Sequence, residues 1–75
     1  MTAEEFLKQL TEVLEADEPL QPGQRLAEVE TWDSLGILSA VELYDELGVK
    51  VDLASVGDAQ TTDDLVGLAG AAVTG

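Results

Sequence analysis

Midway along the chain, Trp32-Asp33-Ser34-Leu35-Gly36 sets a serine hydroxyl directly after an aspartate, where a helix is expected to start. Serine becomes a useful nucleophile only when a neighbouring base takes its proton. The chain has no histidine and no cysteine. It also lacks a Gly-rich phosphate loop and any carboxylate pair with evident acid and base roles. These residue types point to Ser34 as an attachment point that another enzyme modifies, and the chain itself is not expected to be an enzyme. Asp58, Asp63 and Asp64 lack the alternating ligands and glycine of a calcium loop, so no metal site is expected.

Sixteen acidic residues against three basic ones give a formal net charge of -13. Such a charge repels nucleic acid and anionic lipid and favours basic protein surfaces as partners. Seventy-five residues make a single domain over 1–75, near the size at which one apolar core barely offsets chain entropy. Apolar residues make up 45% of the chain but only Phe6, Trp32 and Tyr44 are aromatic, so aliphatic side chains must fill the interior, which suits packed helices. The absence of cysteine removes disulfides and thiolate ligands and suits an intracellular, cytoplasmic setting. The first ten residues read as neither a signal peptide nor a membrane span, and a soluble monomer is expected.

Amphipathic helices must position the serine. Thr2 and Glu5 have capping-box spacing, and Phe6, Leu7, Leu10, Val13 and Leu14 follow as one apolar stripe. They predict helix 1 over about residues 3 to 15. Pro19, Pro22 and Gly23 then break the helix and open a long irregular connection that reaches Thr31, anchored by Leu20, Leu26 and Val29. Asp33 is a favoured N-cap for helix 2, which runs to Leu47 and is closed by Gly48. Helical spacing puts Ile37, Ala40, Leu43, Tyr44 and Leu47 on the core side. The opposite side carries Ser34, Leu35, Leu38, Glu42, Asp45 and Glu46, and two leucines among carboxylates there point to a recognition surface. Trp32 is read as a lid over the connection, because an indole buries much area where core is scarce.

Val49, Val51 and Leu53 alternate with polar residues, but a lone short strand has nothing to pair with, so an extended loop is expected. One irregular helical turn over Leu53 to Val56 follows, ending before Gly57. Thr61 and Asp64 have an acidic variant of capping-box spacing ahead of Leu65, Leu68, Ala69, Ala72 and Val73, which predicts the last helix. Its Gly67 and Gly70 each weaken it by roughly 1 kcal/mol relative to alanine. The expected fold is all-α, a small four-helix bundle of three main helices and one short irregular helix, with the long loop between helices 1 and 2.

The chain here resembles the acyl and peptidyl carrier proteins, whose hallmark is Asp-Ser-Leu at the start of the second helix. The matching residues are Asp33-Ser34-Leu35, set between a leading amphipathic helix with its long loop and an acidic helix ending in Leu47-Gly48-Val49. Thr61-Thr62-Asp63-Asp64-Leu65-Val66 opens the last helix in the same pattern. The resemblance implies that a phosphopantetheinyl transferase uses coenzyme A to place 4'-phosphopantetheine on Ser34, and that the arm's thiol carries acyl groups as thioesters. It further implies partners with basic docking patches that transfer, condense or adenylate acyl groups. Asp33, Leu35, Leu38, Glu42, Asp45 and Glu46 would form the recognition surface. The segment from Ser34 to Gly48 is slightly shorter than in the usual fatty-acid carrier, which bears on the register of the last three.

Three functions compete at this level. The first is a stand-alone acyl carrier in fatty-acid or polyketide-type biosynthesis. The second is an aminoacyl or peptidyl carrier loaded by an adenylating enzyme. The third, from another class, is a non-catalytic adaptor that keeps the carrier fold and uses the acidic helix only to bind protein; a small hydrolase using Ser34 ranks behind all of these.

Overall fold

The computed structural model describes residues 1–73, apart from the side chain of Ala71; Thr74 and Gly75, the end of the domain expected over 1–75, lie outside the described residues. It is an all-α bundle of four helices, α1 (Ala3–Val13), α2 (Ser34–Glu46), α3 (Leu53–Asp58) and α4 (Thr62–Ala69), with no strand among the described residues. Two single 3₁₀ turns, Leu26–Glu28 and Gly70–Ala72, complete the order.

Helix α1 starts where its cap predicts, with the Thr2 hydroxyl accepting from the Glu5 amide at 3.1 Å. The Glu5 carboxylate meets the Thr2 hydroxyl and not the backbone, so the box is not reciprocal. The helix also ends earlier than its periodicity predicts. Glu15 takes a φ of +52°, and the Glu15 and Ala16 amides turn back to the Glu12 and Thr11 carbonyls, both at 3.1 Å. This closing turn satisfies the terminal carbonyls four residues before Pro19, so the prolines follow the break and do not cause it.

The first connection is folded down onto the bundle by both apolar and polar groups. Leu20, Leu26 and Val29 are buried as anchors. Thr11, on α1, donates to the Leu7 carbonyl at 2.7 Å and accepts from the Leu20 amide at 3.0 Å. Thr62, at the start of α4 and fully buried, donates to the Gln21 carbonyl at 2.6 Å and accepts from the Gln24 amide at 3.1 Å. Its own amide donates to the Gln24 carbonyl at 2.9 Å, and the Leu26 amide donates to the Gln60 carbonyl at the same distance. The Asp63 carboxylate adds a bond from the Gly23 amide at 3.1 Å.

The core gathers Phe6, Leu7, Leu10 and Leu14 of the α1 segment, Ala40, Leu43 and Tyr44 of α2, Val56 of α3, and Leu65 and Ala69 of α4. At its centre the Phe6 and Tyr44 rings meet at 5.5 Å between centroids, tilted by 40°. The Tyr44 hydroxyl donates to the Leu65 carbonyl and so ties α2 to α4. Ile37 and Leu47, assigned to the same side, are only half-buried against this cluster.

Helix α3 is longer than the single turn expected, running through Gly57 to Asp58. A helix needs only φ and ψ that glycine can adopt, and Gly57 weakens it without stopping it. Helix α4 carries the full capping box of Thr61 and Asp64. The Asp64 carboxylate, accepting from the Gln60 and Thr61 amides, is held below its ordinary pKa. The helix stops at Ala69, before the Ala72 and Val73 that share its apolar period, because Gly70 swings to a φ of +55°.

Two consequences are measurable. Replacing Thr62 by valine removes the hydroxyl that holds Gln21 and Gln24, and is expected to lower stability by about 2–3 kcal/mol in urea unfolding. Burial raises the pKa of Tyr44 above its ordinary 10.0. Above that pH the unfolded chain releases the phenolic proton while the folded chain keeps it. Stability then falls by about 1.4 kcal/mol per pH unit, and Tyr44→Phe, less stable near neutrality, lacks this contribution to the fall in melts from pH 9 to 11.

Candidate functional site

Asp33 is the N-cap of α2, its carboxylate accepting from the Gly36 amide at 2.9 Å. Its own amide donates to the Thr31 carbonyl at 2.9 Å, and the Trp32 amide donates to the Val29 carbonyl at 3.0 Å. These bonds lead the chain from the buried Val29 straight into the helix. Ser34 is the first helical residue and is exposed. Its hydroxyl has no hydrogen-bond partner among the described residues. The Ser34 and Leu35 amides likewise take no acceptor there, as the first amides of a helix lack an intrahelical partner.

One determinant of this geometry is missing from the sequence reading. Gly36 is buried. A Cβ built on it would overlap the Thr31 carbonyl oxygen and crowd Leu14 Cδ2 at 3.1 Å. The incoming loop therefore lies flat against the first turn of α2 only because position 36 has no side chain. A glycine in a helix's first turns is unfavourable on propensity, and that is the signal that reports a close approach. The Thr31 hydroxyl in the same crossing is buried and has no partner among the described residues.

The other residues singled out fall on the outward side of α2. Leu35 is 74% exposed and Leu38 48%. Glu42, Asp45 and Glu46 are exposed, and none pairs with a lysine or arginine among the described residues. Leu35 stands beside the serine, while the three carboxylates lie toward the far end of the helix. That end is closed by Gly48 at a φ of +78°, with the Val49 amide bonded to the Tyr44 carbonyl at 2.8 Å and the Gly48 amide to the Asp45 carbonyl at 3.0 Å. Trp32 is half-buried against the core and walls a groove beside the connection.

Comparison of the chain with family models, curated proteins and solved structures gives no match. No group of three acidic, histidine or cysteine residues among the described residues is placed to hold a metal ion. No helix among them is long and apolar enough to cross a membrane.

Gly36→Ala tests the crossing. At an ordinary helical position this change adds about 1 kcal/mol of stability. Here it is expected to remove about 3 kcal/mol or more in urea unfolding, because a backbone carbonyl has to move.

Proposed function

We propose that the chain is a carrier of acyl groups, held as thioesters on a 4'-phosphopantetheine arm attached to the Ser34 hydroxyl. One observation carries the reading: an exposed serine hydroxyl without a partner, at the first residue of a capped helix, in a chain with no histidine or cysteine to activate it. Residues around Ser34 fit a phosphodiester. The hydroxyl is open to a transferase, the Ser34 and Leu35 amides can donate to phosphate oxygens, and the Asp33 carboxylate is turned to the Gly36 amide. When attached, the arm supplies the thiol that the sequence lacks.

The remaining duties fall to the chain itself. The Asp33 cap and the Gly36 crossing hold Ser34 in a fixed place. Leu35 and Leu38 offer apolar contact beside it, and Asp33, Glu42, Asp45 and Glu46 offer charge to basic patches on the enzymes that load and unload the carrier. Long-range attraction speeds encounter, while a small and exposed apolar contact keeps each complex brief, which a shuttle requires. The pathways suited to such a carrier are fatty-acid or polyketide-type synthesis, with aminoacyl or peptidyl loading as the alternative cargo class.

Incubation with coenzyme A and a broad-specificity phosphopantetheinyl transferase is expected to add one arm by intact mass, and Ser34→Ala to take none. An unchanged wild-type mass with several such transferases contradicts the reading.

A further inference from the structure

A second feature lies close to Ser34. A groove of about 490 Å³ runs between the end of the first connection and the α3–α4 junction. Leu26, 1% exposed, and the half-buried Trp32 line it together with Ala59, and Gln60, Thr61 and Arg25 supply its polar groups. The Leu26–Gln60 backbone bond and the antiparallel bridge between Arg25 and Thr61 fix the two walls to each other. It is an open surface groove and not an enclosed pocket, and its lining combines apolar area with a few polar groups.

Arg25 is the chain's one arginine. Among sixteen acidic residues it has no carboxylate partner within the described residues. Its guanidinium fork is suited to a carboxylate in two-point contact. The centre of the bundle, by contrast, is taken up by Phe6 and Tyr44, both at 0% exposure, with the Tyr44 hydroxyl bonded across to Leu65. An outer groove is therefore the better place for a cargo group. Trp32 precedes Ser34 by two residues, which puts the two Cα atoms within about 7 Å of each other, so an arm longer than this separation brings its acyl end to the groove by folding back along the surface.

We propose that this groove receives the acyl end of a Ser34-borne thioester and favours short acyl groups that end in a carboxylate, with the acyl chain against Trp32 and Ala59 and the carboxylate on Arg25. The proposal rests on the carrier reading above. An exposed arginine–carboxylate contact is weak between free molecules. Tethering at Ser34 raises the local concentration to the millimolar range, so weak contact suffices to populate the groove and still lets an enzyme withdraw the cargo. The net negative charge of the chain repels such a cargo over most of the surface, and of the three basic residues Arg25 is the one that lines this groove.

The experiment loads the full chain enzymatically with arms from succinyl-coenzyme A and from butyryl-coenzyme A, which match in carbon number and differ in the terminal charge. Intact mass confirms loading, and fluorescence of Trp32, the chain's one tryptophan, reports the groove. The succinyl form is expected to shift Trp32 emission relative to the butyryl form and to hydrolyse about two- to fivefold more slowly than succinyl-loaded Arg25→Gln. In Arg25→Gln both forms are expected to load fully and to give the same emission. Complete loading with equal Trp32 emission for both cargoes in the unaltered chain, or an undiminished difference in Arg25→Gln, overturns the groove and leaves the carrier reading intact. Failure of every arm to load with several transferases, that from coenzyme A itself included, overturns both.

Discussion

A serine can serve as a fixed point of attachment only if the chain leading into it is itself held still, and here that chain is a long irregular connection between α1 and α2. The buried Thr62 hydroxyl is the constraint on which this depends. It donates to the Gln21 carbonyl and accepts from the Gln24 amide, so one side chain of α4 fixes the middle of the connection. Thr11 fixes its beginning through Leu20, and Val29 buries its end. From Val29 the backbone enters α2 with the Thr31 carbonyl lying flat against the first turn, and Gly36 makes room for it. The exposure of Ser34 thus follows from bonds made well away from it.

Charge and packing divide the molecule between two tasks. The core rests on aliphatic side chains around the Phe6–Tyr44 pair, and the polar tie from Tyr44 to Leu65 is satisfied. Outside, the carboxylates of α2 are not neutralised by neighbouring lysine or arginine among the described residues. Their mutual repulsion works against the compact state, but it also leaves their field available to a basic partner at distances up to about a Debye length, roughly 8–10 Å at physiological salt. Arg25, the chain's one arginine, lines the groove beside Trp32.

Local signals in the sequence translate well into this structure. Asp33 and Gly48 bracket α2, Thr61 and Asp64 cap α4, and Leu20, Leu26 and Val29 are anchors, because capping and burial depend on residue type and near neighbours. What the sequence hides are the long-range uses of the same residue types. Thr62 reads as one more residue of a helix start, yet its partners lie about forty positions away. Glu15 gives no sign of its positive φ, since glycine is the usual residue there. Apolar period carries through Gly70 to Val73, while the backbone leaves the helix at that glycine. At the site itself, the serine and its cap were legible, and the close approach that needs Gly36 was not, because it joins segments that meet only in the folded chain.

The central claim is that Ser34 is a tether for a thiol-bearing arm. Its most direct test is the intact mass of the protein purified from its own source, with fragmentation to locate any added group. An arm on Ser34, with or without an acyl group on its thiol, is the expected result. A Ser34 that is unmodified throughout the native population would contradict it.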